Sequence, residues 1–188
     1  MSKKKIIFGI LLILITFSMI FIVAIPNIYS NNTAGKVYKE IKTDFHFLEN
    51  EKKPHVLLYF GYVGCYTVCP PALNEISQIY ENLDKNKFSV YFINLQINTP
   101  KENVDQFAKV FNKDFKGIYL DKKQISEIIS KLNVKYLPSI VNNNEIDHSG
   151  FLHYLEKNNN KFYQKFIYTT KPFDIDYIIK DLKSIKGD

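Results

Sequence analysis

The sequence predicts an α/β domain, a mixed sheet with helices on both faces, preceded by one N-terminal transmembrane helix. Three observations carry this expectation. The residues from Ile6 to Ile25 hold no charge and are almost all apolar. The runs at 55–60 and 89–95 are short and continuously apolar, as strands covered on both faces are. Between and after them lie segments whose apolar residues recur at helical spacing.

The apolar run comes first. Twenty helical residues span roughly 30 Å, the thickness of a bilayer core. Lys3, Lys4 and Lys5 precede it and the next lysine is Lys36, which keeps the N-terminus in the cytoplasm and exports the rest. A cleaved signal peptide shares the basic start and apolar centre, but the run exceeds the roughly 7–15 residues of a signal core. Ala24-Ile25-Pro26-Asn27-Ile28-Tyr29-Ser30 also lacks a small-x-small cleavage site. The expected organisation is a cytoplasmic tail over 1–5, an anchor over 6–26, a tether over 27–43 and one domain over 44–188.

Within the domain, His55-Val56-Leu57-Leu58-Tyr59-Phe60 is the first buried strand. Pro70 to Leu83 is a helix with Leu73, Ile76, Tyr80 and Leu83 on one stripe. Ser89 to Leu95 is the next strand. Thr99-Pro100-Lys101-Glu102 has the form of a capping box, opening a helix that carries Val104, Phe107, Ala108 and Phe111. Ile118-Tyr119-Leu120 is a short strand, and Asp121 caps a helix with Ile125, Ile128, Ile129 and Leu132 inward. Asn142–Asn144 reads as a turn. Phe151–Leu155 and Lys161–Tyr168 flank Asn158–Asn160 as a β-hairpin, and Pro172 to Ile185 closes the chain as a helix. This order is the outline of a thioredoxin-like fold.

The charge balance narrows the function classes. The net charge is +6, but without Lys3 to Lys5 the balance is 22 basic against 19 acidic side chains. The lysines are scattered, so nucleic-acid binding is not expected. Arginine is absent, which excludes an Arg-rich mitochondrial transit peptide and favours a bacterial inner-membrane protein with its domain in the periplasm or otherwise outside the cytoplasm. The chain has two cysteines, Cys65 and Cys69, and export would place both where an idle pair tends to oxidise.

Gly61-Tyr62-Val63-Gly64-Cys65-Tyr66-Thr67-Val68-Cys69-Pro70-Pro71 joins a buried strand to a helix, where α/β sheets collect ligands. Cys69 is expected in the first helical turn, with its thiolate stabilised and its pKa lowered by the helix N-terminus. Three residues between the cysteines, rather than two, let both sulfurs turn toward one point. Of the histidines, His148 is the best third donor, at the start of the first hairpin strand. His153 is five residues on and points to the opposite face. His46 and His55 are expected at the surface. Two thiolates and an imidazole suit copper, whereas structural zinc wants four protein ligands. Met1 and Met19 lie outside the domain.

Gly61-Tyr62-x-x-Cys65-x-x-x-Cys69-Pro70, followed by Asp147-His148-Ser149, resembles the Sco/SenC family, membrane-anchored copper proteins of thioredoxin-like fold. The resemblance covers the anchor and nearly the whole domain. It implies that Cys65, Cys69 and His148 bind a copper ion. It also implies a metallochaperone role toward the copper-bearing subunit of cytochrome c oxidase, whose binuclear copper centre such proteins help assemble, with a thiol reductant protein as a further partner. Where the family usually has Pro and Asp between the cysteines, this chain has Tyr66 and Thr67, and Leu95-Gln96-Ile97-Asn98 replaces an Asp-Pro pair. Fewer carboxylates near the thiols ease thiolate formation, because like charge opposes ionisation. Two other readings stand beside this one. A plain disulfide over so small a loop would stabilise by only about 2 kcal/mol. A membrane-anchored thiol–disulfide oxidoreductase using Cys65 and Cys69 as a redox-active pair would share fold and compartment but would not require His148.

Overall fold

The two continuously apolar runs lie at the centre of the sheet. In the computed structural model, which describes residues 3–31, 35–138 and 146–185, β2 (His55–Gly61) and β3 (Phe88–Asn94) are buried along their whole length. They pair in parallel, from His55 opposite Phe88 to Gly61 opposite Asn94. Around them stand β1 (Lys36–Thr43), β4 (Lys116–Ile118), β7 (Leu152–Asn158) and β8 (Lys161–Tyr168), in the order β1-β8-β7-β2-β3-β4. The β2, β3 and β4 pairings are parallel and the others antiparallel, so the sheet is mixed. β5 (Tyr136–Pro138) and β6 (Ile146–His148) form a separate antiparallel ribbon.

Period-2 alternation sends the two sides of each central strand into different cores. Leu57, Tyr59, Val90 and Phe92 pack with Leu73 and Ile76 of α2 (Cys69–Glu81), with Val104 and Ala108 of α3 (Lys101–Phe111), and with Ile178 and Leu182 of α5 (Ile175–Ser184). Val56, Leu58, Phe60, Tyr91 and Ile93 pack with Ile125, Ile128 and Leu132 of α4 (Lys122–Leu132). Helices cover both faces, as the sequence predicts, and the domain has the thioredoxin-like architecture. The hairpin turn closes on Asn159 and Asn160, at φ 49° and 61°. Asparagine tolerates that left-handed region, which a two-residue hairpin turn demands at both positions. In β8 the inward face switches from Phe162 and Gln164 to Phe166 and Tyr168. The register shifts there, with Lys165 as the extra residue of a bulge.

Several local expectations change. Lys36–Thr43, expected within the tether over 27–43, is an edge strand on β8. Its Lys36 ammonium binds Asp181 at 2.7 Å and lies over the Phe166 ring. The capping box at Thr99 does not form. Pro100 takes the N-cap position of α3, and the Thr99 hydroxyl donates instead to Gln96 Oε1 at 3.0 Å. The reciprocal box appears at Asp121, whose carboxylate accepts the Gln124 N–H while Gln124 accepts the Asp121 N–H. His55 is not at the surface but buried, with Nδ1 2.8 Å from the Tyr154 hydroxyl. His46 is exposed, and His153 lies buried on the α4 side of the sheet. The turn expected at Asn142–Asn144 and residues 32–34 of the tether lie outside the described residues. The apolar N-terminal run is helical within α1 (Lys3–Asn31), whose side chains are described from Lys5 to Met19. Among the described residues no helix is long and apolar enough to cross a membrane, and the anchor expected over 6–26 runs past that stretch.

Burial of His153 gives the fold a dependence on acid. Its Nδ1–H faces Gln164 Oε1 at 2.6 Å, and burial, partly opposed by that hydrogen bond, holds the ring's pKa down to about 4. An unfolded histidine titrates near 6.5, so between those values the unfolded chain binds the extra proton. The stabilising difference is complete above about pH 6.5 and is lost as pH falls, at up to about 1.4 kcal/mol per pH unit. His153→Gln, which keeps a donor toward Gln164, should therefore be less stable at pH 7 but lose less stability between pH 7 and pH 5. Urea midpoints at the two pH values measure this, and an equal loss in both proteins would contradict it.

Candidate metal centre

The centre is built where β2 ends and α2 begins. Gly61 closes β2, and its carbonyl accepts the Leu95 N–H at 2.8 Å. A side chain at Gly61 would stand 2.8 Å from the Cys69 sulfur and 2.8 Å from the Phe92 ring, so only glycine lets the helix start this close to the sheet. Asn94, fully buried at the end of β3, holds the next turn: its Oδ1 accepts the Val63 N–H at 3.1 Å and its Nδ2 donates to the Gln96 carbonyl at 2.6 Å. The chain then reverses through Gly64, at φ 90°, and delivers Cys65. Cys69 is the first residue of α2, with Pro70 and Pro71 following where their missing N–H groups cost no helical bond.

Both cysteines are unpaired thiols and both are buried, Cys69 at 0% exposure. Their protons are held unequally. The Cys69 N–H points at the Cys65 sulfur at 3.3 Å. At Cys65, burial alone would raise the pKa. The backbone N–H of Cys69, the Cys69 thiol and the N–H groups of Val68 and Thr67 outweigh it and hold Cys65 below an ordinary thiol. Cys69 is pushed up to about 12, first by burial and then by its hydrogen bond and charge coupling to Cys65. The expectation of a lowered Cys69 thus moves to its neighbour. The free N–H groups at the start of α2 converge on the sulfur four residues earlier, not on the cysteine that begins the helix.

His148 comes from β6, not from the first hairpin strand as the sequence suggests. It pairs opposite Tyr136 of β5, and the ribbon carries it to the cysteine turn. Its Nε2 stands 3.7 Å from the Cys69 sulfur. Two side chains, Tyr59 and Tyr62, set their rings edge-on to the imidazole, with centroids 6.2 and 6.3 Å away. Sequence reasoning assigned no role to either tyrosine, nor to Asn94. Tyr59 occupies an inward strand position that any core aromatic would fill, and the fold alone brings it to the site. His46, His55 and His153 are not brought there. Among the described residues, no three of His, Cys, Asp and Glu stand close enough to enclose a metal ion as they are.

The separation between Cys69 and His148 nonetheless fits a shared ion. Sulfur and nitrogen donors about 2.3 and 2.1 Å from one small cation, at trigonal to tetrahedral angles, lie about 3.6–3.8 Å apart. The donor types, two thiols and one imidazole, suit a soft cation.

Comparison with known proteins identifies the family. The family model described as SCO1/SenC matches residues 48–186. The chain is 27% identical over 172 residues to an SCO2-like protein of Rickettsia felis, covering 82% of this chain and 80% of that protein. Its fold is similar to that of apo Sco1 from Thermus thermophilus, with a TM-score of 0.60 and 22% identity over 79% of this chain and 91% of that one. It is also similar to Arabidopsis thaliana ScoI with copper bound, with a TM-score of 0.59 and 18% identity over 70% and 86% of the two chains. With the family model spanning nearly all of the thioredoxin-like domain, the chain belongs to the SCO1/SenC family.

Proposed function

We propose that this chain is a copper-binding metallochaperone, held at the membrane by α1, that serves assembly of the binuclear copper centre of cytochrome c oxidase. The observation that carries the reading is the 3.7 Å approach of His148 Nε2 to the buried Cys69 sulfur, with the Cys65 sulfur beside the Cys69 N–H. Copper bound to the Arabidopsis relative supports the choice of metal, and family membership supports the oxidase role. The proposed ligands are Cys65, Cys69 and His148. Closing the set asks the three side chains to draw closer together than they stand in the metal-free chain. The metal replaces the Cys69 proton, which relieves the cost of ionising a thiol held at about 12. A site closed by three donors leaves a position through which a recipient's ligands can enter and take the metal.

The apolar run from Ile6 to Ile25 behind Lys3, Lys4 and Lys5 supports a single-pass anchor with the domain outside the cytoplasm. Alkaline carbonate should leave the chain in the membrane fraction, and protease added to spheroplasts should digest its domain. Release by carbonate, or protection from protease, would contradict the anchor.

The unequal thiols also favour a second reading, thiol–disulfide exchange. Cys65, with the lowered pKa, would attack a partner disulfide, and Cys69 would then displace the partner's thiol, so two electrons pass to the partner and the pair becomes a disulfide. His148 separates the two. In the reduced full-length protein in detergent, we expect one copper per chain, and none in Cys65→Ser or Cys69→Ser. His148→Ala should weaken copper(II) binding more than copper(I), while disulfide exchange persists. Copper measured by elemental analysis in each variant tests this. Full loading of either serine variant would refute the ligand set, and normal oxidase assembly with His148→Ala at limiting copper would favour the exchange reading.

A further inference from the structure

The strand register puts the entry of the chain from α1 and the metal centre at the same end of the sheet. Lys36 stands opposite Tyr168, Tyr168 opposite Leu152, and Leu152 opposite Tyr59, whose ring lies edge-on to the His148 imidazole. Three strand spacings, about 14 Å, separate the first residue of β1 from Tyr59 along this row. The link behind β1 is short. α1 ends at Asn31, and the chain is fixed again at Gly35, whose carbonyl accepts the Thr169 hydroxyl at 2.8 Å. Four residue steps reach at most about 14 Å. At 29 residues α1 is about 44 Å long, the depth of a bilayer with its headgroups, so a chain anchored by α1 leaves the membrane near Asn31.

The surface at that end is apolar. The segments 61–71 and 95–100 hold no Asp, Glu, Lys or Arg, whereas 49–53 and 84–87, at the opposite end, hold four and three charged side chains. Among the described residues outside α1, seven large apolar side chains are exposed, and six of them lie at the metal-bearing end. They are Val37, Tyr38, Tyr66, Val68, Ile97 and Leu137, with Tyr66 at 90% and Tyr38 at 75% exposure; the seventh, Val110, is on α3. Exposed apolar groups gathered in this way mark an interaction surface. Tyrosine suits the headgroup layer, with its ring toward the acyl chains and its hydroxyl in water. A patch too small to hold a membrane alone suffices when a short link keeps it there at high effective concentration.

We propose that the metal-bearing end of the domain rests on the headgroup layer of the bilayer that holds α1, with Tyr38 and Tyr66 as its interfacial side chains. This rests on the membrane anchor of the proposed function, but not on copper. The metal centre then opens at the membrane surface, and the recipient it serves is a membrane protein that presents its copper site at that level.

The chain contains no tryptophan, so Tyr66→Trp and Lys87→Trp each introduce a single one, at the metal-bearing and the opposite end of the sheet. Lys87 is exposed, and its carbonyl accepts the His55 N–H at the start of β2. The seven residues of β2 set the two ends about 20 Å apart. The full-length chain is reconstituted in vesicles of phosphatidylcholine and phosphatidylglycerol, and its fluorescence is quenched by lipid carrying a nitroxide on the headgroup. Tyr66→Trp should lose the larger share of its emission. Adding Ile97→Glu and Leu137→Glu to that chain should reduce the loss while the chain still floats with the vesicles. If Tyr66→Trp does not fold, Tyr38→Trp takes its place. Equal quenching at both ends, stronger quenching of Lys87→Trp, or no effect of the two glutamates would overturn the proposal. Quenching at neither end would also overturn it and would assign the apolar surface to a protein partner. A chain that does not float with the vesicles would overturn the anchor itself, which separates that failure from failure of the orientation alone.

Discussion

The approach of the start of α2 to the end of β2, close enough that Gly61 can carry no side chain, is the constraint on which the site depends. It buries the Cys69 sulfur completely against Phe92 and the sheet. It aims the helix N–H groups back at Cys65, and it sets the position that His148 and Tyr59 must meet. The approach is stable because β2 and β3 are buried on both faces, with α2, α3 and α5 on one side and α4 on the other. Asn94 secures it by hydrogen-bonding the turn on both sides of its amide. A looser junction would leave room at Gly61 but would let water reach Cys69 and separate it from the imidazole.

Two sulfurs held so close cannot ionise independently. The first proton leaves from Cys65, where backbone donors await the charge, and the second is held at Cys69 by burial and by the charge already present. This asymmetry suits either chemistry available to the pair. For exchange it provides one ready nucleophile and one protected resolving thiol. For metal binding it provides one ligand already near ionisation and one that ionises when a cation arrives. What tilts the site toward a metal is the imidazole at 3.7 Å, placed by a ribbon outside the main sheet.

The parts of the fold legible in the sequence are those whose burial is complete or evenly periodic. β2, β3, α2, α4 and the hairpin about Asn159 all fall near their expected places for that reason. β1 was hidden because it is an edge strand open to solvent, so its exposed Val37 and Tyr38 sit together among lysines, show no alternation and read as tether. His55 misled in the opposite way, since a histidine opening a strand carries no sign that a distant Tyr154 will bury and bond it. Thr99 had the pattern of a cap, yet Pro100 occupies that place and the threonine turns to Gln96. At the site, the cysteine spacing and Asp-His pair pointed to three donors in the first place. Which thiol the helix N–H groups favour depends on side-chain direction, which spacing does not encode. Tyr59 and Asn94 reach the centre through tertiary packing alone, and no local pattern announces them.

The central claim is that Cys65, Cys69 and His148 close around one copper ion, although they do not enclose one as they stand. X-ray absorption at the copper edge, on the reduced full-length protein loaded with one equivalent of copper(I), reads the donor set directly. The expected spectrum fits two sulfur scatterers and one imidazole nitrogen per copper, with the nitrogen contribution absent in His148→Ala. A wild-type spectrum with sulfur donors alone, or one unchanged by removal of His148, would contradict the claim.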